Sequence, residues 1–292
     1  MVRPAAVSMP PGSEAPHGYR LERVLGGRSG VSTVYAAADD GGVGEVALRI
    51  FTAELSADPE FRAEFTRTVR AHAGLAHPNL VRVVDSSAHQ ARQGRQDDSP
   101  LFIALELVEG ATLAERIAFA PLPVEPTLRM TAKVAEALDA AERLGVVHRR
   151  LGTQAIMLTD DDVERPVLGD FGVGWSREGP VPSPDPGRLL GAADALAPEV
   201  IRGEAPDARS SVYALGAIVY ECLAGVAPFS GGTRAELLHA HLAEPPPRLA
   251  ERALHVPPAV GEVLARAMAK TRDERPSGPL ALTQDLERAL GR

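Results

Sequence analysis

Ser211-Val-Tyr-Ala-Leu-Gly216-Ala-Ile-Val-Tyr-Glu221-Cys-Leu223 is apolar on every helical face except the one that carries Glu221. A helix without a polar side has no face to turn to water, so this run predicts a helix buried on all sides. N-terminal to it, Met130, Val134, Ala137, Ala141 and Leu144 form one stripe of a long helix. C-terminal to it, helices are expected over 234–242, 260–269 and 280–290. The first hundred residues have another texture. Leu21 to Leu25, Val31 to Ala36, Val46 to Phe51, Leu80 to Val84 and Leu101 to Leu107 are short strand-like runs. One helix interrupts them near 58–76, with Phe61, Phe65, Val69 and His72 on one face. The polar stretch 86–99 reads as a flexible loop. The expected fold class is α+β with two lobes, a small strand-rich half followed by a larger helical half.

Bulk properties narrow the function classes. A chain of 292 residues, 45% apolar, can bury a sizeable core. A net charge of −8 without a basic cluster argues against binding nucleic acid or an anionic membrane surface. The single cysteine, Cys222, lies in the apolar run and is expected buried and inert; one cysteine allows no internal disulfide framework and suits a reducing compartment. Prolines interrupt the first residues and no apolar stretch of about 18 occurs, so neither a signal peptide nor a membrane span is expected. The expected location is cytoplasmic. Only Lys133 and Lys270 are lysines, so nearly all positive charge is arginine.

Several segments in order resemble the bacterial eukaryotic-like Ser/Thr protein kinases. Gly27-Arg-Ser29-Gly-Val-Ser32-Thr-Val34-Tyr resembles their phosphate-covering loop, and Val46-Ala47-Leu48-Arg49 the strand that normally ends in a catalytic lysine. His77-Pro-Asn79-Leu-Val81 matches the turn into the fourth strand, and Leu105-Glu106-Leu-Val108-Glu109-Gly110 the hinge. His148-Arg149-Arg150-Leu151 stands where the catalytic loop belongs. Asp170-Phe171-Gly172 and Ala197-Pro198-Glu199 bracket an activation segment, and Ser211 to Gly216 and Arg275-Pro276 complete the helical lobe. The resemblance covers about 19–290. It implies a two-lobed protein-kinase-like fold with a flexible tail over 1–18, an N-lobe over 19–109 and a C-lobe over 110–292.

Phosphoryl transfer demands positioning and charge compensation more than covalent chemistry. Set against the family pattern, Arg49 stands for the lysine, and its planar fork does not reproduce a compact ammonium. Thr68 occupies the place of the partner glutamate, with Glu64 one turn earlier on nearly the same helix face. Arg150 replaces the catalytic aspartate, and arginine accepts no proton at any accessible pH. Gly152 replaces the lysine that touches the transferred phosphate, and Ala155 the metal-binding asparagine, whose methyl cannot ligate a hard cation. Asp170 survives as a weak metal candidate. Ser29 and Ser32 replace glycines, and Ala192 and Ala195 replace a threonine and a tyrosine of the activation segment, where Ser176 and Ser183 remain.

The retained positions have structural jobs. Glu199 and Arg275 are expected to form a buried ion pair, and Ser211 to cap the buried helix. A vestigial nucleotide pocket is expected from Gly27, Val34, Ala47, Arg49, Glu106, Val108, Met157 and Asp170. The reading at this level is a catalytically inactive pseudokinase, not an enzyme. It would bind proteins such as an active kinase or a phosphopeptide reader and require no cofactor. ATP, with or without Mg, would be at most a weak ligand. Two alternatives stand beside it: a nucleotide-sensing module without phosphotransfer, and a divergent Ser/Thr kinase with weak residual activity.

Overall fold

The computed structural model describes residues 14–15, 18–26, 32–39, 44–92, 100–148, 150–160, 164–169, 195–230 and 232–292. An antiparallel sheet of six strands forms the N-lobe: β1 (Glu14–Ala15), β2 (Tyr19–Gly26), β3 (Ser32–Asp39), β4 (Gly44–Phe51), β5 (Val83–Ser86) and β6 (Phe102–Glu106), in the order β1-β2-β3-β4-β6-β5. Pairing reaches back into the expected tail, with Glu14 opposite Arg20 and Ala15 opposite Tyr19.

Alternation along β4 gives the sheet its two faces. Val46, Leu48 and Ile50 join Tyr19, Tyr35 and Phe102 on one side. Phe51 and Ile103 pack on the other against α2 (Pro59–Ala73). A short helix, α1 (Ala53–Ala57), precedes α2. Asp58 caps α2 by accepting from the Glu60 and Phe61 amides, Pro59 opens it, and the stripe Phe61, Phe65, Val69 and His72 is buried as the spacing predicts. Part of the stretch expected as a polar loop is structured instead: residues 87–92 form α3 (Ser87–Arg92). Serines supply the reason. Ser86 Oγ accepts from the His89 amide at 3.2 Å, and Ser87 Oγ accepts from the Phe102 amide at 2.7 Å. Residues 93–99 lie outside the described residues.

In the C-lobe, β7 (Gly110–Thr112), β8 (Ile156–Thr159) and β9 (Pro166–Leu168) make a small sheet beside α4 (Leu113–Phe119) and α5 (Val124–Glu142). Then come α6 (Pro198–Ile201), α7 (Ala208–Ala224), α8 (Arg234–Ala243), α9 (Pro258–Ala267) and α10 (Pro279–Ala289). The run that opens the sequence analysis is α7, and the core is built around it. Asp207 caps it and Gly225 ends it at φ +73°, the left-handed region that favours glycine. Cys222 is fully buried, and burial pushes its thiol up. Leu144 departs from the expected stripe. Helix α5 stops at Glu142 and Gly145 turns the chain at φ +74°, which leaves Leu144 56% exposed.

Candidate active site

A ladder of main-chain bonds fixes the floor of the cleft. Leu80 bridges Leu168 in parallel, the Val81 amide donates to Leu168 O at 3.0 Å, and the Leu168 amide donates to Asn79 O at 2.8 Å. The Asn79 side chain donates to Pro166 O at 2.7 Å. One residue on, the Gly169 amide donates to Ala155 O at 2.9 Å. His148, 5% exposed, completes the frame. Its Nδ1 accepts from the Arg150 amide at 3.3 Å, which assigns the ring proton to Nε2, and Nε2 donates to Gly169 O at 2.7 Å. From α2, His72 Nε2 donates to Val81 O at 3.1 Å, linking the helix to the same ladder. Burial outweighs that bond and lowers the His72 pKa to about 4.

Strand register places the N-lobe residues. Arg49 on β4 lies between Val34 of β3 and Ile103 of β6, and Ala47 between Ala36 and Leu105, so Val34, Ala47 and Arg49 share the sheet face that α2 covers. All three are half-buried. Glu64 and Thr68 lie one turn apart on one flank of α2, and Glu64 pairs with Arg67 at 3.8 Å. At the hinge the Glu106 amide donates to Arg82 O at 2.9 Å, and Val108 is half-buried. Met157 sits on β8 opposite Thr112 and Val167.

Arg150 is half-buried, Gly152 is buried in extended backbone, and Ala155 is 6% exposed at the end of a single 3₁₀ turn, Thr153–Ala155. Gly27, Ser29, Arg149, Asp170, Phe171, Ser176, Ser183 and Ala192 lie outside the described residues. Protein kinases use ATP and magnesium, and magnesium asks for hard oxygen donors. At Ala155 the side chain is a methyl and the carbonyl is engaged by Gly169. Among the described residues no three His, Cys, Asp or Glu come together as a metal site. Ala155 thus offers the ion no side-chain donor, and Asp170, the metal candidate that the sequence retains, lies outside the described residues.

Two features were read incompletely from sequence. Ser211 is not the cap of the buried helix. The cap is Asp207, with Ser210 completing a capping box, and Ser211 lies a turn inside, where its hydroxyl donates to Glu142 Oε1 at 2.7 Å. Burial raises the Glu142 pKa, the Ser211 bond opposes that, and Asp139 and Asp207 reinforce it. Glu199 and Arg275 do form the expected buried pair, at 2.7 and 2.9 Å. Around it sequence reasoning missed a hub. Lys270 Nζ donates to the Ala240 and His241 carbonyls at the end of α8 and to Tyr213 Oη, and lies 4.2 Å from the Phe229 ring centroid. Its retention in an arginine-rich chain was the available signal.

Comparison with known proteins agrees with this geometry. Residues 19–286 match the family described as protein kinase domain. The serine/threonine-protein kinase PknJ of Mycobacterium tuberculosis is 35% identical over 87% of this chain and 42% of its own length. PknB of Mycobacterium leprae is 30% identical over 92% of this chain and 42% of its own. The chain therefore spans about two-fifths of these relatives. The crystal structure of the Mycobacterium tuberculosis PknI kinase domain superposes with a TM-score of 0.73 at 27% identity, covering 97% of this chain and 100% of that one. These are matches to enzymes, and they overturn the expectation that this domain is not one.

Proposed function

Because this chain belongs to the protein kinase domain family, we propose that it is a degenerate Ser/Thr kinase domain, slow in phosphotransfer, whose main work is to bind a protein. One observation carries the reading. His148 holds the backbone of the loop at Arg150, and the resemblance to the kinase catalytic loop puts Arg150 at the general-base position, where a permanent cation accepts no proton. Loss of such a base costs about 10²- to 10⁴-fold in rate. Gly152 and Ala155 withdraw the charge and the oxygen donor that transfer also uses. The partner class this supports is a protein, an active kinase or a reader of phosphopeptides. The working unit is 19–292, divided near residue 109.

Radiolabelled phosphate transfer to a generic protein acceptor, run beside the PknJ kinase domain, tests the reading. The expected rate is lower by about two to four orders of magnitude. Transfer within tenfold of PknJ, abolished by Asp170→Ala, overturns it.

A further inference from the structure

Helices α5 and α10 pack against each other in the C-lobe and leave a hollow of about 250 Å³ between them. On α5, Glu125, Leu128, Arg129, Ala132 and Lys133 recur at helical spacing and line one side of it. The floor is apolar. Leu128 and Leu286 are buried, and Leu290 packs half-buried against the same core. The rim is charged. Glu125 stands one turn before Arg129 and is placed to pair with it, but Arg292 takes Glu125 instead at 2.7 Å. Among the described residues neither Arg129 nor Lys133 has an ion-pair partner, and like charges one turn apart repel. Glu287 stands on the opposite rim. Three cations and two carboxylates line the hollow, so it is positive by one unit in a chain whose net charge is −8.

Size and charge together define what fits. Sites that enclose a drug-sized ligand hold about 300–1,000 Å³, so this hollow suits one or two apolar side chains. Arg129 and Lys133 are four residues apart, a rise of about 6 Å along the axis, and carboxylates one turn apart on a second helix have the same spacing. We infer that the hollow between α5 and α10 docks an amphipathic helical segment of a protein partner, with an apolar side chain on Leu128 and Leu286 and carboxylates against Arg129 and Lys133. This rests on the reading that the domain works by binding a protein, and it names that partner's chemistry. Glu287 sets the orientation, because it repels the acidic edge of the incoming helix and leaves α5 as the side that accepts it.

Fluorescence anisotropy of the full chain with two labelled amphipathic peptides tests this. Both carry leucines at i, i+3, i+4 and i+7, flanked in one by glutamates and in the other by lysines. The glutamate peptide is expected to saturate below millimolar concentration and to bind about tenfold more tightly than the lysine peptide. Arg129→Glu combined with Lys133→Glu is expected to reverse that order, weakening the glutamate peptide by about tenfold and strengthening the lysine peptide. Ala132→Phe, which fills the hollow, is expected to weaken the glutamate peptide by about tenfold. Melting without peptide checks the fold of each variant. Should Ala132→Phe not fold, the charge-reversed variant, altered only on the rim, decides the matter alone. Three results overturn the inference: no saturable binding of the glutamate peptide at millimolar concentration, equal binding of the two peptides, or wild-type binding of the glutamate peptide by either folded variant. Failure of docking leaves the slow phosphotransfer proposed above standing, and rapid label transfer defeats that proposal whatever the peptides do.

Discussion

Replacing Arg275 by methionine removes a buried side chain whose every donor is engaged. Arg275 is 3% exposed, and each of its five N–H groups has an acceptor. Nε donates to Ala269 O at 2.7 Å. Nη1 donates to Glu199 Oε1 at 2.7 Å and Arg209 O at 3.0 Å. Nη2 donates to Glu199 Oε2 at 2.9 Å and Lys270 O at 3.3 Å. Arg275→Met strips three carbonyls of a donor and leaves the buried Glu199 carboxylate with Ser210 Oγ at 2.6 Å and Arg272 at 3.8 Å. Breaking a buried pair from one side costs about 3–5 kcal/mol, and the surviving contacts draw the value toward the lower end. Urea unfolding followed by circular dichroism at pH 7 measures it. The double variant Glu199→Leu with Arg275→Met, which buries no charge, should be less damaged than Arg275→Met alone. Burial pushes the Glu199 pKa up, but the hydrogen bonds from Arg275 and Ser210 outweigh it and hold the group below 4.5. The pair therefore contributes fully above pH 4.5 and loses its effect as pH falls through the folded-state value, so the Arg275→Met penalty should shrink in acid. A cost under about 1 kcal/mol at neutral pH would refute the argument, because that is the worth of an exposed pair.

His72 gives a second pH signature. Its pKa falls from 6.5 to about 4 on folding, so the unfolded chain binds the proton first and stability drops between pH 6.5 and 4. The shift corresponds to about 3 kcal/mol. His72→Gln, which can still donate to Val81 O, should flatten that part of the stability-against-pH curve, and parallel curves for the two proteins would discredit the assignment. Gly110, at φ +144°, leaves no room for a side chain, since a Cβ would collide with the Leu158 carbonyl oxygen across β7 and β8. Gly110→Ala should cost at least 2 kcal/mol in urea unfolding; a change below 0.5 kcal/mol contradicts the register.

Elements that carry their own pattern were legible in the sequence. The all-round apolar run became α7 and the four-residue stripe became the buried face of α2, because burial alone dictates both. Residues 87–92 escaped because the helix is set by two serine hydroxyls, Ser86 on the His89 amide and Ser87 on the Phe102 amide of β6, which apolar periodicity does not record. At the site, substitutions were readable one by one against the kinase pattern. The bond from Ser211 to Glu142 was not, since it joins residues 69 apart in sequence. The three-acceptor seat of Lys270 was hidden for the same reason.

The catalytic-loop frame is wired almost wholly through peptide groups: Val81 to Leu168, Gly169 to Ala155, and His148 to the Gly169 carbonyl and the Arg150 amide. Every residue type but proline brings the same amide and carbonyl, so mutation at 150, 152 or 155 leaves those links in place. Side chains at these three positions can thus vary, and the chemistry of the loop with them, while the scaffold stays standing.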